Sequence, residues 1–519
     1  MELVKQTIRK TKEANREFSQ ISLDDDYIVK DNKPDVVKII HAKGNIIIDE
    51  TKVSNQAVWL NGRLEFRILY RSDDEFHKLD VVTGVIAFQE KVMVDDIDDL
   101  SRISVHAQLE DLNASIINSR KVAIRAVLGL YVAVTEDGEE EIAGSLLEEE
   151  GYEQKAEEQE LLKLVTSQKD VMRISNEVKL PNAKPNIRSL LWQNVDVRNI
   201  ESSIMAEKLH IQGETYIGIL YQSDEDDQVQ WYETMVPVAG DVAIEGEQGD
   251  IFWVKVQPDS TEVEARNDYD GENRILGVDI SLCLEYKLWK EENTQILKDV
   301  YSTTRKVAVE RTNSVLPRFL MKNIAKTRIS EQFKIEANQE KILQICAYDG
   351  TINVDSVTTE PNGILFEGVL KVHILYFTSD DNLPIAHIEA ILPFEQLVEV
   401  NQMTENTWCD YQAAVDVLQV NLLDNSEYEI KAAIRIAVLA FEEDNMEHIV
   451  EVREGEPLVE ELRNQPGMIG YIVQEKEQLW DIAKENHTTI RQIMEENGLK
   501  SDKVAAGMKL IIVKNMTSC

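Results

Sequence analysis

Alternation at period two runs through much of this chain. In Leu64-Glu-Phe-Arg-Ile, Leu370-Lys-Val-His-Ile and Val122-Ala-Ile-Arg-Ala, apolar and polar side chains take turns, as they do in half-buried β-strands. The pattern also repeats on a larger scale. Gly62-Arg-Leu-Glu-Phe-Arg-Ile-Leu-Tyr70 returns as Gly213-Glu-Thr-Tyr-Ile-Gly-Ile-Leu-Tyr221 and again as Gly368-Val-Leu-Lys-Val-His-Ile-Leu-Tyr376. The tyrosines stand 151 and then 155 residues apart, so the repeated unit is a domain and not a short solenoid turn.

The register extends beyond the tyrosine. Thirty-six residues upstream, Lys33-Pro34-Asp35 matches Lys184-Pro185-Asn186, while the third copy departs with Glu340. Downstream, Ala87-Phe88, Pro237-Val238 and Pro393-Phe394 fall together, and each copy closes on a β-rich run: Val122–Val134, Ile275–Leu288 and Ile430–Phe441. Ser72-Asp73, Ser223-Asp224 and Ser379-Asp380 supply turn chemistry after each tyrosine. Three β-rich, sandwich-like repeat domains are expected, with Tyr70, Tyr221 and Tyr376 as core or strand-end residues.

The segments between copies read differently. Residues 1–26, with Leu3, Val4 and Ile8 spaced among charges, suggest a short helix before repeat 1 (27–136). Residues 137–175 suggest an acidic linker running into a helix at Leu161–Val165. From Glu136 to Glu160 there are twelve acids and a single base, Lys155, and such runs are usually solvated spacers. Repeat 2 is expected over 176–305, a linker over 306–328, repeat 3 over 329–442, and a second acidic linker over 443–468.

After Pro466-Gly467 the composition changes. Residues 469–514 hold seven bases and seven acids. A strand at Tyr471–Val473 leads to an apolar helical pattern at Leu479-Trp480-Asp-Ile-Ala483. Thr489-Ile-Arg-Gln492 then reads as a capping box opening a second helix, Asn497-Gly498 ends it in the left-handed region, and Leu510–Val513 is a last strand. The expectation is a small α+β module of strand, two helices and strand, completing a multidomain protein.

These residues (Tyr-x-Val, Leu-Trp-x-Ile-Ala, Asn-Gly-Leu and Gly-x-x-Leu-x-Ile) resemble a LysM domain. The resemblance implies binding of N-acetylglucosamine-containing glycans such as peptidoglycan, through the loop after the first strand and the loop after the second helix. Lys476-Glu477-Gln478 replace the family's Gly-Asp-Thr in the first loop, which places bulky charges where a sugar would approach and alters the backbone geometry open to it. A LysM module behind β-rich repeats is also similar to the SipL-like spore-coat morphogenetic proteins, whose repeats are SPOCS domains. That resemblance implies a non-enzymatic scaffold in the mother-cell cytoplasm, peripheral on the forespore surface, whose LysM domain binds a SpoIVA-like coat ATPase instead of a glycan. The partner-binding residues expected on this basis are Lys476, Glu477, Gln478, Leu479, Trp480, Asn497, Gly498 and Leu499. Trp480 is read both as the plug of the module's small core and as an aromatic anchor for a partner.

Charge and chemistry narrow the function further. The 519 residues carry 55 Lys+Arg against 95 Asp+Glu, a net charge of −40, which argues against nucleic acid and anionic membrane as partners. Cys283, Cys346, Cys409 and Cys519 stand singly, so neither a disulfide framework nor a zinc site is expected, and a reducing cytosol fits. The N-terminus lacks an apolar leader, and the longest apolar stretch, Val122–Val134, is too short to span a bilayer. No P-loop, His-Glu-x-x-His or Gly-x-Ser-x-Gly is present. The eight histidines are dispersed, and His373 reads as a solvated or hydrogen-bonded strand residue. No catalytic site, cofactor or metal is expected.

Overall fold

The computed structural model describes residues 1–513 except 55, 75–77, 96, 98–100, 148–150, 226–227, 248, 338, 402 and 464–465. Each repeat is built from six strands in two three-stranded antiparallel sheets. In repeat 1 these are β1 (Leu3–Ile28), β2 (Val36–Val53), β3 (Ala57–Ser72), β4 (Leu79–Met93), β5 (Arg102–Asn118) and β6 (Lys121–Leu146), ordered β2-β3-β4 and β1-β6-β5. Repeat 2 follows with β7 (Tyr152–Lys179), β8 (Ile187–Met205), β9 (Lys208–Ser223), β10 (Val229–Ala243), β11 (Ile251–Asn267) and β12 (Asn273–Ser302). Repeat 3 consists of β13 (Arg305–Lys334), β14 (Ile342–Glu360), β15 (Gly363–Thr378), β16 (Ile385–Glu399), β17 (Thr407–Leu422) and β18 (Glu427–Pro457). Both later repeats keep the same two orders, β8-β9-β10 with β7-β12-β11, and β14-β15-β16 with β13-β18-β17.

The repeated Gly…Ile-Leu-Tyr motif is the central strand of one sheet in every copy. The β-rich closing run is the central strand of the other, so both central strands are flanked on each side and alternate between the sandwich core and the opposite face. Tyr70, Tyr221 and Tyr376 are fully buried. Each hydroxyl donates to a backbone carbonyl 36 residues upstream: Pro34 O, Pro185 O and Glu340 O, all at 3.1 Å. This explains the register noted above. Because the acceptor is main chain, Glu340 serves where the other copies use proline.

The segments expected as helix and linkers are strands. The 1–26 segment is β1, which pairs antiparallel with β6 from Leu3↔Leu146 to Ile28↔Lys121. The described residues of the acidic 137–175 segment form the end of β6 and most of β7, including Leu161–Val165, while 148–150 lie outside the described residues. Residues 306–328 lie in β13, and most of 443–468 lies in β18 and α1 (Val459–Arg463). The reason is long-range charge pairing that local composition hides. Lys5, Arg9 and Lys10 on β1 face Glu141, Glu139 and Glu140 across the ladder. Arg305 and Arg318 on β13 likewise meet Glu454 and Glu442 on β18. Ladder hydrogen bonds and these cross-strand pairs override the weak helical spacing.

Three cores, one per sandwich, are joined by clusters in which matching positions of all three repeats meet. Leu69, Leu220 and Leu375, each preceding its tyrosine, pack together with Leu191, Trp192, Cys346 and Ala347. In the long strand extensions, Ile8, Leu161 and Leu316 meet Ile142, Ile296 and Met446. The repeats are therefore arranged with quasi-threefold symmetry, one chain doing what a homotrimer does with three.

The C-terminal module is β19 (Met468–Ile472), α2 (Leu479–Glu485), α3 (Ile490–Asn497) and β20 (Lys509–Val513), with β19 and β20 paired antiparallel. This is the expected strand–helix–helix–strand order. Thr489 Oγ1 accepts from Gln492 N at 3.0 Å and Gly498 closes α3 at φ 62°. The Gln492 side chain reaches back to the Thr488 hydroxyl, which donates to Gln492 Oε1 at 3.0 Å.

Candidate functional site

The loop between β19 and α2 holds the first three expected partner-binding residues. Lys476 is exposed and takes φ 67°, the left-handed conformation that a glycine adopts freely. The replacement thus keeps the glycine-type backbone geometry, at a steric cost, where a change of geometry was expected. Replacing Lys476 by glycine should relieve about 1 kcal/mol of that strain, read as increased hydrogen-exchange protection of α2 in the full chain. Glu477 turns inward: Tyr471 Oη donates to Glu477 Oε1 at 2.8 Å, and Gln474 N donates to Oε2 at 2.7 Å. That hydrogen bond, ahead of burial, pushes the Tyr471 phenol up to about 12. Gln478 caps α2, and its Oε1 accepts from Lys155 Nζ of repeat 2 at 2.8 Å.

Leu479 and Trp480 are buried, with Trp480 only 6% exposed. Their burial comes from two sides. Within the module they pack with Val473, Ile482, Ala483, Ile493, Leu510 and Ile512, and from outside Tyr301 of β12 joins the same core. The Tyr301 and Trp480 rings meet edge to face with centroids 4.9 Å apart. Trp480 Nε1 donates to Asp299 Oδ2 at 2.8 Å, and Lys484 Nζ donates to both Asp299 oxygens at 2.8 and 2.7 Å. Burial pushes the Asp299 carboxyl up. The hydrogen bonds from Lys484 and Trp480 and the ammonium charge outweigh that and hold it below the ordinary carboxylate value. Tyr301 Oη completes the seat by donating to Thr488 O at 2.8 Å.

The second expected loop is mostly structural in its contacts. Asn497 ties α3 to β20, its Nδ2 donating to Ile511 O at 2.7 Å and its Oδ1 accepting from Ile511 N at 2.6 Å. Leu499 packs against the module core, and Gly498 is exposed. The module's surface around Trp480 is thus held by repeat 2 through Lys155, Asp299 and Tyr301. None of these was legible in the sequence. Asp299-Val-Tyr301 lies past the β-rich run of repeat 2, and nothing local marks it as the seat of a module 180 residues on.

Reasoning from sequence missed a second polar cluster, on the quasi-threefold axis. Lys43, Asn194 and Asp349 occupy matching positions of the three repeats. Lys43 Nζ donates to Asn194 Oδ1 at 2.8 Å and to Asp349, and Asn194 Nδ2 donates to Tyr348 O at 3.0 Å. Burial raises the Asp349 carboxyl, but the Lys43 charge and hydrogen bond carry it below its ordinary value. Beside this trio the fold gathers three of the dispersed histidines. His41 stacks on His387 with centroids 4.0 Å apart, and His373 Nδ1 lies 3.2 Å from His387 Nε2. Burial, then neighbouring His373, holds His387 down at about 4, and burial holds His41 well below its ordinary value.

A guanidinium clamp was also missed. Arg120 donates to the carbonyls of Lys33, Val29 and Lys30, and Arg274 does the same to Pro181 and Lys184. Each stands just before its repeat's closing run. Repeat 3 has Ser426 at the matching place in the strand register, and it is also the copy that lacks the Lys-Pro motif. The two departures belong to one missing contact.

A chain of three like sandwiches closed by a small strand–helix–helix–strand unit is a modular, repeat-built protein. Residues 35–117, 186–266 and 341–423 match the SipL SPOCS domain family, and residues 471–513 match the LysM domain family. In domain content the chain is a SipL-type protein, three SPOCS domains followed by one LysM domain. Both are non-catalytic domain families. No curated protein and no solved structure gave a significant match. Among the described residues, no helix is long and apolar enough to cross a membrane.

Proposed function

We propose that this protein is a non-enzymatic scaffold of spore-coat assembly that docks through its LysM module onto a SpoIVA-like coat ATPase at the forespore surface, on the mother-cell side. Its domain content fits a coat-associated or glycan-binding role. The state of the first LysM loop favours protein over glycan. Glu477 is consumed by Tyr471 and Gln474, Gln478 is held by Lys155, and an exposed lysine side chain stands where the sugar-binding family has a bare glycine. A groove for a sugar ring needs convergent, unengaged polar groups, and this loop has spent its own. Trp480 is the partner-side anchor in this reading, reached when the module leaves repeat 2.

The test compares the full chain with a version ending at residue 465. The full chain should capture the purified coat ATPase and pass unretained over insoluble peptidoglycan, and the truncated chain should lose the ATPase. Capture at full strength without the module, or micromolar affinity for chito-oligosaccharides, would overturn the reading.

A further inference from the structure

We infer that His41, His373 and His387 form a zinc site that clasps the first repeat to the third. His41 comes from β2, whereas His373 and His387 come from the neighbouring strands β15 and β16. One ligand nitrogen from each ring lies within 4.8 Å of the others. Tetrahedral zinc takes imidazole nitrogens at about 2.0–2.1 Å, which sets them about 3.3 Å apart. His373 and His387 already meet that spacing, at 3.2 Å. The His41 nitrogen needs to come in by at most about 1.5 Å, the difference between 4.8 Å and the tetrahedral spacing. A rotation of one ring off its stack on His387 supplies that movement.

Repeat symmetry does not generate the cluster. The positions matching His41 are Trp192 and Ala347, those matching His373 are Arg67 and Gly218, and those matching His387 are Val81 and Trp231. Three histidines at three non-equivalent positions converge on one point. The surroundings suit a cation that keeps one open ligand position. Glu389 Oε2 lies 3.8 Å from His373 Nδ1, within reach to serve as a fourth ligand. A cavity of about 420 Å³ lined by His41, His373 and Glu389 gives an ion and a water their way in. The nearby Lys43 ammonium is balanced by Asp349. A set of three imidazoles with carboxylate or water selects zinc among divalent ions of the cell over magnesium and calcium, which prefer all-oxygen shells.

The experiment titrates the chelator-stripped full chain with zinc chloride against a chromophoric chelator, beside the variants His41→Gln, His373→Gln and His387→Gln and the control His210→Gln. His373 and His387 are only half-buried, so their variants keep the fold even if His41→Gln does not, and circular dichroism confirms it. The expected result is one tight zinc per chain in the parent and control, weakened at least tenfold in each cluster variant. Zinc should raise the thermal midpoint of the parent and the control but not of the cluster variants. Cobalt chloride should give tetrahedral visible bands without thiolate charge transfer. Failure of the parent to bind zinc at micromolar concentration overturns the site. So does zinc binding of equal strength in the His373→Gln and His387→Gln variants, which would assign the metal to the acidic surface.

Discussion

Asp299→Ala should release the LysM module from repeat 2 while leaving both folded. The substitution removes the acceptor for the Trp480 indole and for both Lys484 contacts. Hydrogen bonds to a charged group contribute about 1.5–3 kcal/mol each when buried. Lys484 is 41% exposed, so its share is screened, and a total of about 2–3 kcal/mol is expected. That is on the order of a hundredfold shift toward the undocked form. Small-angle scattering and Trp480 fluorescence would register it. If the partner takes the face that repeat 2 now covers, affinity for the partner rises by up to the same factor. An unchanged affinity would separate the two faces. Acidity tests the same contact. The folded carboxyl is held below its ordinary 3.8, so the contribution is complete above that value and is lost only as pH falls through the lowered one. The module should stay docked at pH 5.

Lys43→Met should loosen the three repeats from one another. It strips the counter-charge from Asp349, whose side chain is 16% exposed, and the donor from Asn194. Breaking a fully buried pair costs about 3–5 kcal/mol and an exposed one less than about 1, so about 2 kcal/mol is expected for this half-sheltered pair. Chemical denaturation should show an earlier first transition, partly restored by adding Asp349→Asn, which removes the stranded charge. An unmoved transition in Lys43→Met would mean that water already screens the pair. The trio also has a role in specificity. Lysine, asparagine and aspartate at matching positions satisfy one another only when repeats 1, 2 and 3 meet, and two copies of one repeat would set like against like.

Period-two alternation and the thrice-repeated Gly…Ile-Leu-Tyr motif carried the fold class, because central strands write their burial directly into sequence. Leu64, Phe66 and Ile68 point to the core and Glu65 and Arg67 away from it. The flanking strands do not. β1 and the far ends of β6 and β7 are stabilised by partners over a hundred residues away, so their local charge density looked like linker and their sparse apolar residues looked like helix. The LysM module was legible because its caps are local chemistry, Thr489 at one end of α3 and Gly498 at the other. Its seat on Asp299 and Tyr301 was not, nor was the meeting of His41 with His373 and His387. Such contacts depend on how repeats are arranged about an axis, which no window of sequence contains.

The pairing of each repeat's first strand with its last has a consequence for synthesis. The partner of Leu3 is Leu146, that of Tyr152 is Ser302, and that of Arg305 is Pro457. At about 5–20 residues per second, β1 waits on the order of 7–30 s for β6 to emerge from the ribosome. Throughout that interval a 26-residue strand presents unpaired amides and carbonyls, the template on which neighbouring chains aggregate. The wait recurs for each repeat in turn, and the LysM module, translated after all three, settles on a second repeat that is already closed. Fragments for expression should therefore begin before a long first strand and end after its matching last one. A cut anywhere between them leaves a sandwich whose edge stays open for good.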